Sequence, residues 1–299
     1  MTDAGRTAAI TASAMAPAKI NLALHVTGLD DKAFHLLDTL VVFADFGDRI
    51  TIARADRDGF EVTGLHAGAL AGEGENLVTQ ARDMLRQSHR RHDCFPVAIA
   101  LEKNLPVASG VGGGSSDAAT TLRLLARIWN LPAGEGELAR IGLALGADVP
   151  MCLAGRPLVA RGIGEAVTPI PAFPALSMVL VNPGIAVPTG AVFSALAGKQ
   201  NPPLPPLPVA PTQGQLIDWL ATTRNDLEAP AKTIAPAIDE AGDLLAGTGA
   251  LLARMSGSGA TCFGLFGDRL AAETAAGAIA KRRPRWFVRA VTTGGSPAS

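Results

Sequence analysis

A glycine-rich segment that leads directly into an amphipathic helix is the feature that most constrains this chain. Residues 109–116 read Ser-Gly-Val-Gly-Gly-Gly-Ser-Ser, and the residues after them place Ala118, Leu122, Leu125 and Trp129 on one helical face. Glycine has no Cβ, so backbone N–H groups in such a segment can approach a phosphate closely. The N-terminus of a helix adds unpaired N–H groups and a partial charge of about +0.5. The segment therefore predicts an anion site at the start of a helix.

The same segment also fits a plainer interpretation, a flexible turn whose serines cap the next helix. Gly-rich turns before helices are common, and Ser115 and Ser116 are typical capping residues that can also ligate Mg²⁺. The spacing differs from the G-x-x-x-x-G-K-[ST] of a Walker A loop and from the G-x-G-x-x-G of a dinucleotide site. The residues alone leave both interpretations open.

Strand and helix patterns interleave along the rest of the chain. The strand patterns cover 19–26, 39–46, 49–52, 97–101, 176–181, 251–255, 262–266 and 287–292. The helix patterns cover 76–88, 118–129, 137–145, 225–245 and 268–281. This interleaving predicts a mixed α/β or α+β fold.

Two strand predictions depend on particular residues. The segment 19–26 alternates strictly, which predicts an apolar face opposite a polar face that carries Lys19 and Asn21. Further along, Gly47 and Asp48 are expected to separate two strands.

Proline marks the irregular parts of the chain. Six prolines within 201–211 predict an extended surface loop or a linker. Pro230 and Pro236 are expected to break the helix pattern 225–245. Residues 1–16 are small and polar, and we expect an irregular tail there rather than a signal peptide.

Composition bounds the class of protein. The chain has 299 residues, 48% of them apolar, which is enough for two modest domains or one large one. A net charge of −1 gives no indication of a nucleic-acid or membrane surface, and no apolar run reaches the roughly 18 residues of a membrane span. The scattered Cys94, Cys152 and Cys262 suit a reducing cytoplasm.

Three segments of the chain resemble the motifs of the GHMP kinases, a family that includes galactokinase, homoserine kinase and mevalonate kinase. Residues 106–118 are similar to the ATP loop of that family, 17–22 (Pro-Ala-Lys-Ile-Asn-Leu) to its first motif and 255–260 to its third. The resemblance implies ATP and Mg²⁺ as cofactors and a small-molecule alcohol as substrate. It also implies an active site in a cleft between two domains.

The fold implied by this resemblance is the two-domain GHMP kinase fold. Its N-terminal domain, here residues 1–165, resembles a ribosomal-protein-like α+β domain with a left-handed crossover. Its C-terminal domain, here residues 166–299, is an α/β sandwich. A monomer or a weak homodimer is expected.

Four further segments resemble one branch of the family. Residues 17–28, 39–48, 146–150 and 182–189 are similar to the kinases that phosphorylate the 2-hydroxyl of 4-diphosphocytidyl-2-C-methyl-D-erythritol in the non-mevalonate isoprenoid pathway. The alternatives are another GHMP kinase, of the homoserine or mevalonate type, and a catalytically silent nucleotide sensor. The homoserine and mevalonate enzymes usually have a different first motif, and a sensor has no need for both a proton acceptor and its cation.

The resemblance points to Asp148 and Lys19 as the proton acceptor and the cation. By residue type alone, Asp148 is a turn or cap residue between a helix and Pro150, and Lys19 is a solvated lysine on a strand. The resemblance instead implies that Asp148 is the general base and that Lys19 stabilises the charge that develops during transfer.

The resemblance also assigns the ATP contacts. It places them at Pro106, Val107, Ala108, Ser109, Gly110, Val111, Gly112, Gly113, Gly114, Ser115 and Ser116, with Ser116 as the Mg²⁺ ligand. It adds Asn76 near the adenine, although a helix N-cap explains Asn76 equally well.

Contacts to the acceptor substrate come from several separate segments. The resemblance assigns them to Asn21, Phe34, His35, Thr189, Phe193, Gly257 and Gly259. This chain departs from the family pattern in two places. At 32–35 it has Lys-Ala-Phe-His where the family usually has Asp-Gly-Tyr-His. At Ala108 and Ser109 the family usually has more glycine.

Overall fold

A computed structural model describes residues 11–70 and 76–294 of the chain. The strands are β1 (Thr11–Leu29), β2 (His35–Arg54), β3 (Gly59–Thr63), β4 (Val97–Glu102), β5 (Leu158–Gly162), β6 (Ala166–Pro169), β7 (Leu176–Asn182), β8 (Leu252–Met255), β9 (Cys262–Phe266) and β10 (Phe287–Thr293). The α-helices are α1 (Leu77–Ser88), α2 (Gly113–Ile128), α3 (Glu135–Leu145), α4 (Val149–Ala154), α5 (Thr189–Ser194), α6 (Gln213–Ala221), α7 (Glu228–Ile234), α8 (Ala237–Gly247) and α9 (Arg269–Arg282). A short 3₁₀ helix covers Ala67–Leu70.

The strands form a mixed sheet in which the N-terminal and C-terminal parts join at one point. The hydrogen-bonded order is β3-β4-β2-β10-β7-β9-β8, while β1 and the β5–β6 hairpin also pair with β2. The crossover through α1 makes β3 and β4 parallel neighbours, and its handedness stays a prediction. Ala44 of β2 and Thr293 of β10 are the registered pair that links the two parts.

Three apolar clusters build the core. The helices α1 to α4 pack on β2, β4 and β5, and the helices α7 to α9 pack on β7 and β9. A third cluster lies between them and combines residues of β1 and β2 with residues of β7, β9 and α6. Because this middle cluster belongs to both parts of the chain, it holds them together beside the site described below.

Strand β1 corrects the simple alternation expected for 19–26. Its pairing with β2 shifts register between Asn21 and Ala23, which marks a β-bulge. After the bulge, Leu24 lies on the same side as Lys19 and Asn21, facing one cavity. Lys19 and Asn21 are only 3% and 2% exposed, so this polar side of β1 lies inside the fold rather than in solvent.

Strand β2 is continuous where two strands were expected. It runs for 20 residues through Gly47 and Asp48. A Cβ on Gly47 would overlap the carbonyl oxygen of Ala16 in β1, so glycine allows the two backbones to pass here without a break. Asp48 turns its side chain into the core, where it is fully buried. The expectation of a strand boundary at these residues is wrong.

The proline predictions are confirmed for residues 201–211 and Pro236 and are wrong for Pro230. Residues 201–211 are irregular as expected, and hydrogen bonds from Asn201 N to Val26 O and from Leu204 N to Asp38 Oδ2 hold the start of that loop against β1 and β2. Pro236 separates α7 from α8 as expected, but Pro230 lies in the first turn of α7 and breaks nothing. The first turn of a helix has no intrahelical partner for its N–H groups, so proline is tolerated there.

The expected N-terminal tail and the expected domain boundary can also be compared with the structure. Residues 11–16 belong to β1, so the expectation of an irregular tail is wrong for them, and residues 1–10 lie outside the described part. The expected boundary at 165/166 falls in the turn between β5 and β6 and stays a prediction. None of the helices within the described ranges is both long and apolar enough to cross a membrane.

A buried charge cluster joins β2, the end of β4 and α2. Lys103 Nζ lies 2.5 Å from Asp48 Oδ2 and 2.7 Å from Asp117 Oδ2. Asp48 Oδ1 also accepts from the backbone N–H groups of Asn104 and Leu105, whereas Asp117 Oδ1 has no partner among the described residues. Burial raises the pKa of Asp117 to about 7, although Lys103 partly opposes the shift. The cluster therefore fixes the start of α2 at the cost of one poorly compensated carboxylate.

Gly47→Ala is expected to destabilise the fold, because the added methyl group overlaps the Ala16 carbonyl oxygen and pushes β1 away from β2. Overpacking of this kind typically costs about 1–3 kcal/mol. Urea denaturation measures the loss in the free energy of unfolding. Gly59→Ala in β3 is the matched control, because its added methyl group meets nothing nearer than 3.9 Å. Equal stability of the two variants would contradict this account of Gly47.

The raised pKa of Asp117 predicts a pH-dependent loss of stability. The folded protein binds this proton more tightly than the unfolded chain, whose carboxyl titrates near 3.8, so the free energy of unfolding falls as pH rises from about 4 to 7. Asp117→Asn removes this dependence. The free energy of unfolding of the variant, relative to that of the wild type, should therefore rise by about 2 kcal/mol between pH 5 and pH 8. Denaturation at the two pH values measures the gain. Asp83→Asn, which alters a half-exposed carboxylate, is the control, and the same gain in both variants would reject the assignment.

Candidate active site

One cavity of about 400 Å³ collects most of the residues that the sequence singled out. It opens between the N-terminal and C-terminal parts of the fold. The expected site residues that line it are Lys19, Asn21, Asn76, Pro106, Val107, Ala108, Ser109, Gly110, Gly112, Gly113, Gly114, Ser115, Asp148, Thr189, Phe193 and Gly257. Residues that are far apart in the chain therefore form a single site.

Five expected residues do not line the cavity themselves. Val111 and Ser116 are each 1% exposed and point into the fold. Phe34 is 56% exposed in the turn before β2, and His35 packs its ring on Phe193 with 4.7 Å between ring centroids. Gly259 lies behind the cavity, where an added Cβ would come 2.6 Å from a sulfur atom of the core. Their roles in binding stay predictions.

Sequence reasoning missed several lining residues. The polar ones are Thr39, Lys103, Asp117 and Ser258, and the apolar ones are Leu24, Leu37, Leu70, Leu77, Met151 and Leu227. Lys103 directly follows β4 and precedes the glycine-rich segment, which is the one local signal that could have drawn attention to it. Nothing in the local pattern of Thr39 distinguishes it from an ordinary strand threonine.

Lys19 and Asp148, both of which line the cavity, form an ion pair. Lys19 Nζ lies 2.8 Å from Asp148 Oδ2, with the Lys19 side chain 4% exposed and the Asp148 side chain 39% exposed. Asp148 is the N-cap residue of α4, yet its side chain makes no capping hydrogen bond. The carboxylate is therefore held by the lysine and turned toward the cavity rather than toward its own helix.

The glycine loop, residues 106–116, has the backbone geometry that the predicted anion site requires, and its anion binding stays a prediction. Gly110 and Gly112 have φ angles of +77° and +61°, which glycine adopts readily. Gly112 is the N-cap residue of the 16-residue helix α2, and no side chain caps that helix. The first N–H groups of α2 therefore have no intrahelical partner, and Gly113, Gly114 and Ser115 present them at the cavity.

Strand β1 passes the glycine loop so closely that position 112 requires glycine. The N–H of Lys19 donates to the carbonyl oxygen of Val111 at 2.9 Å, and a Cβ on Gly112 would lie 2.9 Å from Lys19 Cε.

Asn76 also has the capping role considered for it, since its side chain accepts from the N–H of Val78 at the start of α1. Asn76 thus lines the cavity and caps a helix at once.

A second glycine loop, residues 255–261, is fastened to the first. The fully buried hydroxyl of Ser256 donates to the carbonyl oxygen of Gly110 at 2.9 Å and accepts from the N–H of Asn21 at 3.1 Å. The N–H of Thr261 donates to the carbonyl oxygen of Ser109 at 3.0 Å. These bonds join the C-terminal part of the chain to both the glycine loop and β1.

Asn225 fixes the second loop from behind. Its side-chain Nδ2 donates to the carbonyl oxygens of Met255 and Gly257, each at 2.8 Å. At the cavity, the hydroxyls of Thr189 and Ser258 lie 2.9 Å apart, so α5 is connected to the same loop. The second glycine loop is therefore held by hydrogen bonds to the first loop, to β1, to Asn225 and to α5.

Comparisons with known proteins match one family domain in the N-terminal part of the chain and another in the C-terminal part. Residues 76–156 match the N-terminal domain of the GHMP kinases, and residues 211–284 match the C-terminal domain of the GHMP kinases. The 4-diphosphocytidyl-2-C-methyl-D-erythritol kinase of Chelativorans sp. (strain BNC1) is 54% identical over 279 residues, 93% of this chain and 95% of that protein. The enzyme of the same name from Mesorhizobium japonicum is 55% identical over 283 residues, 95% of this chain and 96% of that protein.

Solved structures agree with these matches. A 4-(cytidine 5'-diphospho)-2C-methyl-D-erythritol kinase has a TM-score of 0.78 and 32% identity, with 95% of this chain and all of that chain covered. A homoserine kinase from Cytophaga hutchinsonii, at 16% identity and a TM-score of 0.70 over 98% of this chain and 97% of that chain, shares the fold alone. The expected two-domain α/β fold is confirmed, and the chain belongs to the GHMP kinase family.

Proposed function

We propose that this chain transfers the γ-phosphoryl group of ATP to the 2-hydroxyl of 4-diphosphocytidyl-2-C-methyl-D-erythritol. The observation that carries the reaction is a buried lysine paired with a carboxylate beside the uncapped N-terminus of α2. The substrate comes from relatives of that name, which are more than 50% identical over more than nine-tenths of the chain.

ATP phosphates fit the start of α2. The N–H groups of Gly113, Gly114 and Ser115 have no intrahelical partner and can donate to phosphate oxygens. Lys103 Nζ lies just beneath, 3.0 Å from where a Cβ on Gly113 would stand, but it is already paired with Asp48 and Asp117. The positive charge offered to phosphate is therefore the partial charge of the helix N-terminus. The glycine loop therefore has the donors and the charge to hold a nucleotide with its γ-phosphoryl group facing Lys19 and Asp148.

Asp148 and Lys19 supply the chemistry at the acceptor hydroxyl. Asp148 takes the proton of that hydroxyl as its oxygen attacks the γ-phosphorus atom, and ADP leaves. Lys19 keeps the carboxylate in place and stabilises the charge that develops on the transferred group. The 2.8 Å contact between them supports this division of labour.

The oxygen atoms at the cavity suit magnesium. Mg²⁺ prefers oxygen ligands and is commonly bound by one or two carboxylates together with substrate phosphates. Asp117 Oδ1, which has no partner among the described residues, and the hydroxyl of Ser115 both belong to residues that line the cavity. Ser116, the expected ligand, is buried outside the lining, so Ser115 and Asp117 are the better placed candidates. Bound magnesium would neutralise phosphate charge during transfer.

The cytosine subsite is assigned to Phe193, His35 and Phe34. Phe193 lines the cavity and offers a ring face for stacking, and the His35 ring packs against it. Burial, helped by the nearby Lys199, lowers the pKa of His35, so its imidazole is neutral near pH 7. A neutral imidazole donates from one nitrogen and accepts at the other, which suits the edge of a base.

Other expectations remain part of this proposal. The domain division at residue 165/166, a monomer or weak homodimer, and a cytoplasmic location rest on sequence reasoning. The free thiols of Cys94, Cys152 and Cys262 suit a reducing compartment. A silent nucleotide sensor is the less favoured alternative, because the Lys19–Asp148 pair is intact.

The substrate assignment predicts a single product. Offered 4-diphosphocytidyl-2-C-methyl-D-erythritol, homoserine and mevalonate in parallel with MgATP, the protein should phosphorylate only the first, at its 2-hydroxyl. Phosphorus NMR of the product identifies the position, and coupled ADP release gives the rate. Turnover of homoserine or mevalonate without turnover of the cytidyl compound would refute the substrate assignment.

The assignment of the base predicts a large loss in Asp148→Asn. This change keeps the shape of the side chain but removes the proton acceptor, so kcat should fall on the order of 10²–10⁴-fold while the Kd for ATP is little changed. Lys19→Ala should also lower kcat, and the double variant should lose less than the product of the two effects, because the pair acts as a unit.

Stopped-flow kinetics measures kcat, and titration calorimetry measures the Kd for ATP. Asp239→Asn is the matched control, since Asp239 also pairs with a lysine, Lys232 at 3.0 Å, but lies outside the cavity. Near wild-type kcat in Asp148→Asn would remove Asp148 as the base.

A further inference from the structure

The side-chain amide of Asn21 has one end fixed and the other end free. Asn21 lines the cavity and is 2% exposed. Its Nδ2 donates to Thr39 Oγ1 at 2.9 Å, whereas its Oδ1 is buried with no hydrogen-bond partner in the described part of the chain. A buried carbonyl oxygen without a partner is costly, so a ligand that supplies a hydrogen-bond donor gains by meeting it.

Thr39 determines which end of that amide is free. The Thr39 side chain is fully buried, and its single hydroxyl proton is donated to the carbonyl oxygen of Ala23 at 2.7 Å. Its oxygen can therefore act only as an acceptor toward Asn21. Turning the amide around would set Asn21 Oδ1 against Thr39 Oγ1, two acceptors with no proton between them. The observed orientation follows from the Thr39–Ala23 bond.

The β-bulge in β1 makes this chain of bonds possible. Asn21 pairs with Val41 and Ala23 pairs with Leu40, so Leu22 is the extra residue. A bulge interrupts the ladder and re-aims nearby side chains, which explains why the Ala23 carbonyl oxygen is available to a side chain. The N–H of Asn21 is held separately by Ser256 Oγ. Both the backbone and the amide of Asn21 are thus fixed before any ligand arrives.

We propose that Thr39 is a positioning residue for acceptor-substrate specificity, acting by holding Asn21 so that its Oδ1 accepts from a non-reacting hydroxyl of that substrate. This inference rests on the proposed function and deepens it. Asp148 takes the reacting hydroxyl, and Asn21 reads a second hydroxyl that must be a hydrogen-bond donor. A site built around a fixed acceptor rejects analogues that cannot donate, because its buried oxygen is then left unpaired.

The test compares the parent compound with two analogues in which fluorine replaces either the C1 or the C3 hydroxyl of the methylerythritol. Fluorine cannot donate a hydrogen bond. With wild-type protein, kcat/KM for at least one analogue should be lower than for the parent by about 10-fold or more, the factor expected for one unpaired buried group. Equal kcat/KM for the parent and both analogues would overturn the inference.

Thr39→Val is the decisive variant. It removes the acceptor that fixes Asn21 Nδ2, so the amide can turn and present its NH₂ group to the cavity. The kcat/KM for the parent should fall about 10-fold or more, while that for the discriminated analogue should stay level or rise, so their ratio approaches one. Thr39→Ser keeps the hydroxyl and should restore the wild-type ratio. The KM for ATP should stay unchanged throughout.

Two further variants protect the test against a purely structural effect. Thr121→Val is the matched control, because Thr121 is also fully buried and donates its hydroxyl proton to a backbone carbonyl, that of Asp117 at 2.8 Å, but does not line the cavity. Its parent-to-analogue ratio should equal that of the wild type. Thr39→Ala removes the same hydroxyl without placing a methyl group beside Ala23, and gives the same ratio if Thr39→Val does not fold.

The outcomes distinguish failure of the proposed function from failure of the inference about Thr39. A wild-type protein that does not phosphorylate the parent compound overturns the proposed function, and the inference about Thr39 with it. A wild-type protein that is active and selective, with an unchanged ratio in Thr39→Val and Thr39→Ala, overturns only the inference about Thr39. A ratio that collapses equally in Thr121→Val also overturns it, because buried threonine hydroxyls in general would then have the same effect.

Discussion

The close passage of β1 beside the glycine loop is the constraint on which the rest of the site depends. The N–H of Lys19 bonds to the carbonyl oxygen of Val111, and the stem of Lys19 crosses Gly112 where any Cβ would collide with it. This contact carries Lys19 along the start of α2 to Asp148. Glycine in this loop thus serves two purposes, since it leaves helix N–H groups open to an anion and leaves room for the lysine.

Two buried lysines near the glycine loop differ in how exposed their carboxylate partners are. Lys103 lies between Asp48 and Asp117, all three almost fully buried, and joins two strands to α2. Lys19 is as deeply buried as Lys103, but its partner Asp148 is 39% exposed at the cavity. A carboxylate that a substrate can reach is able to exchange a proton with it, whereas Asp48, enclosed on all sides, can only hold the fold together.

The C-terminal part of the chain reaches the site through hydrogen bonds rather than through bulk packing alone. Ser256 connects Gly110 of the glycine loop to Asn21 of β1, and Asn225 anchors the loop that carries Ser256. Asn21 is consequently placed by both parts of the chain. The glycine loop and Asn21 are therefore connected through one serine hydroxyl, which suits the proposed reaction because that reaction requires two ligands in line.

Local sequence predicted many of the elements and the glycine-rich segment before α2, because glycine spacing and hydrophobic period act over a few residues. It did not predict the short elements β3, β5, β6, α4, α5 and α6, and it divided β2 into two strands. Even the two departures from the family pattern fall at special backbone positions, since Ala33 and Ala108 have φ angles of +63° and +49°, where glycine is favoured. Only the tertiary structure decided that Thr39, Lys103 and Asp117 belong to the site. A bulge in β1 and pairings across more than a hundred residues set those positions, and neither leaves a periodic signal in the chain.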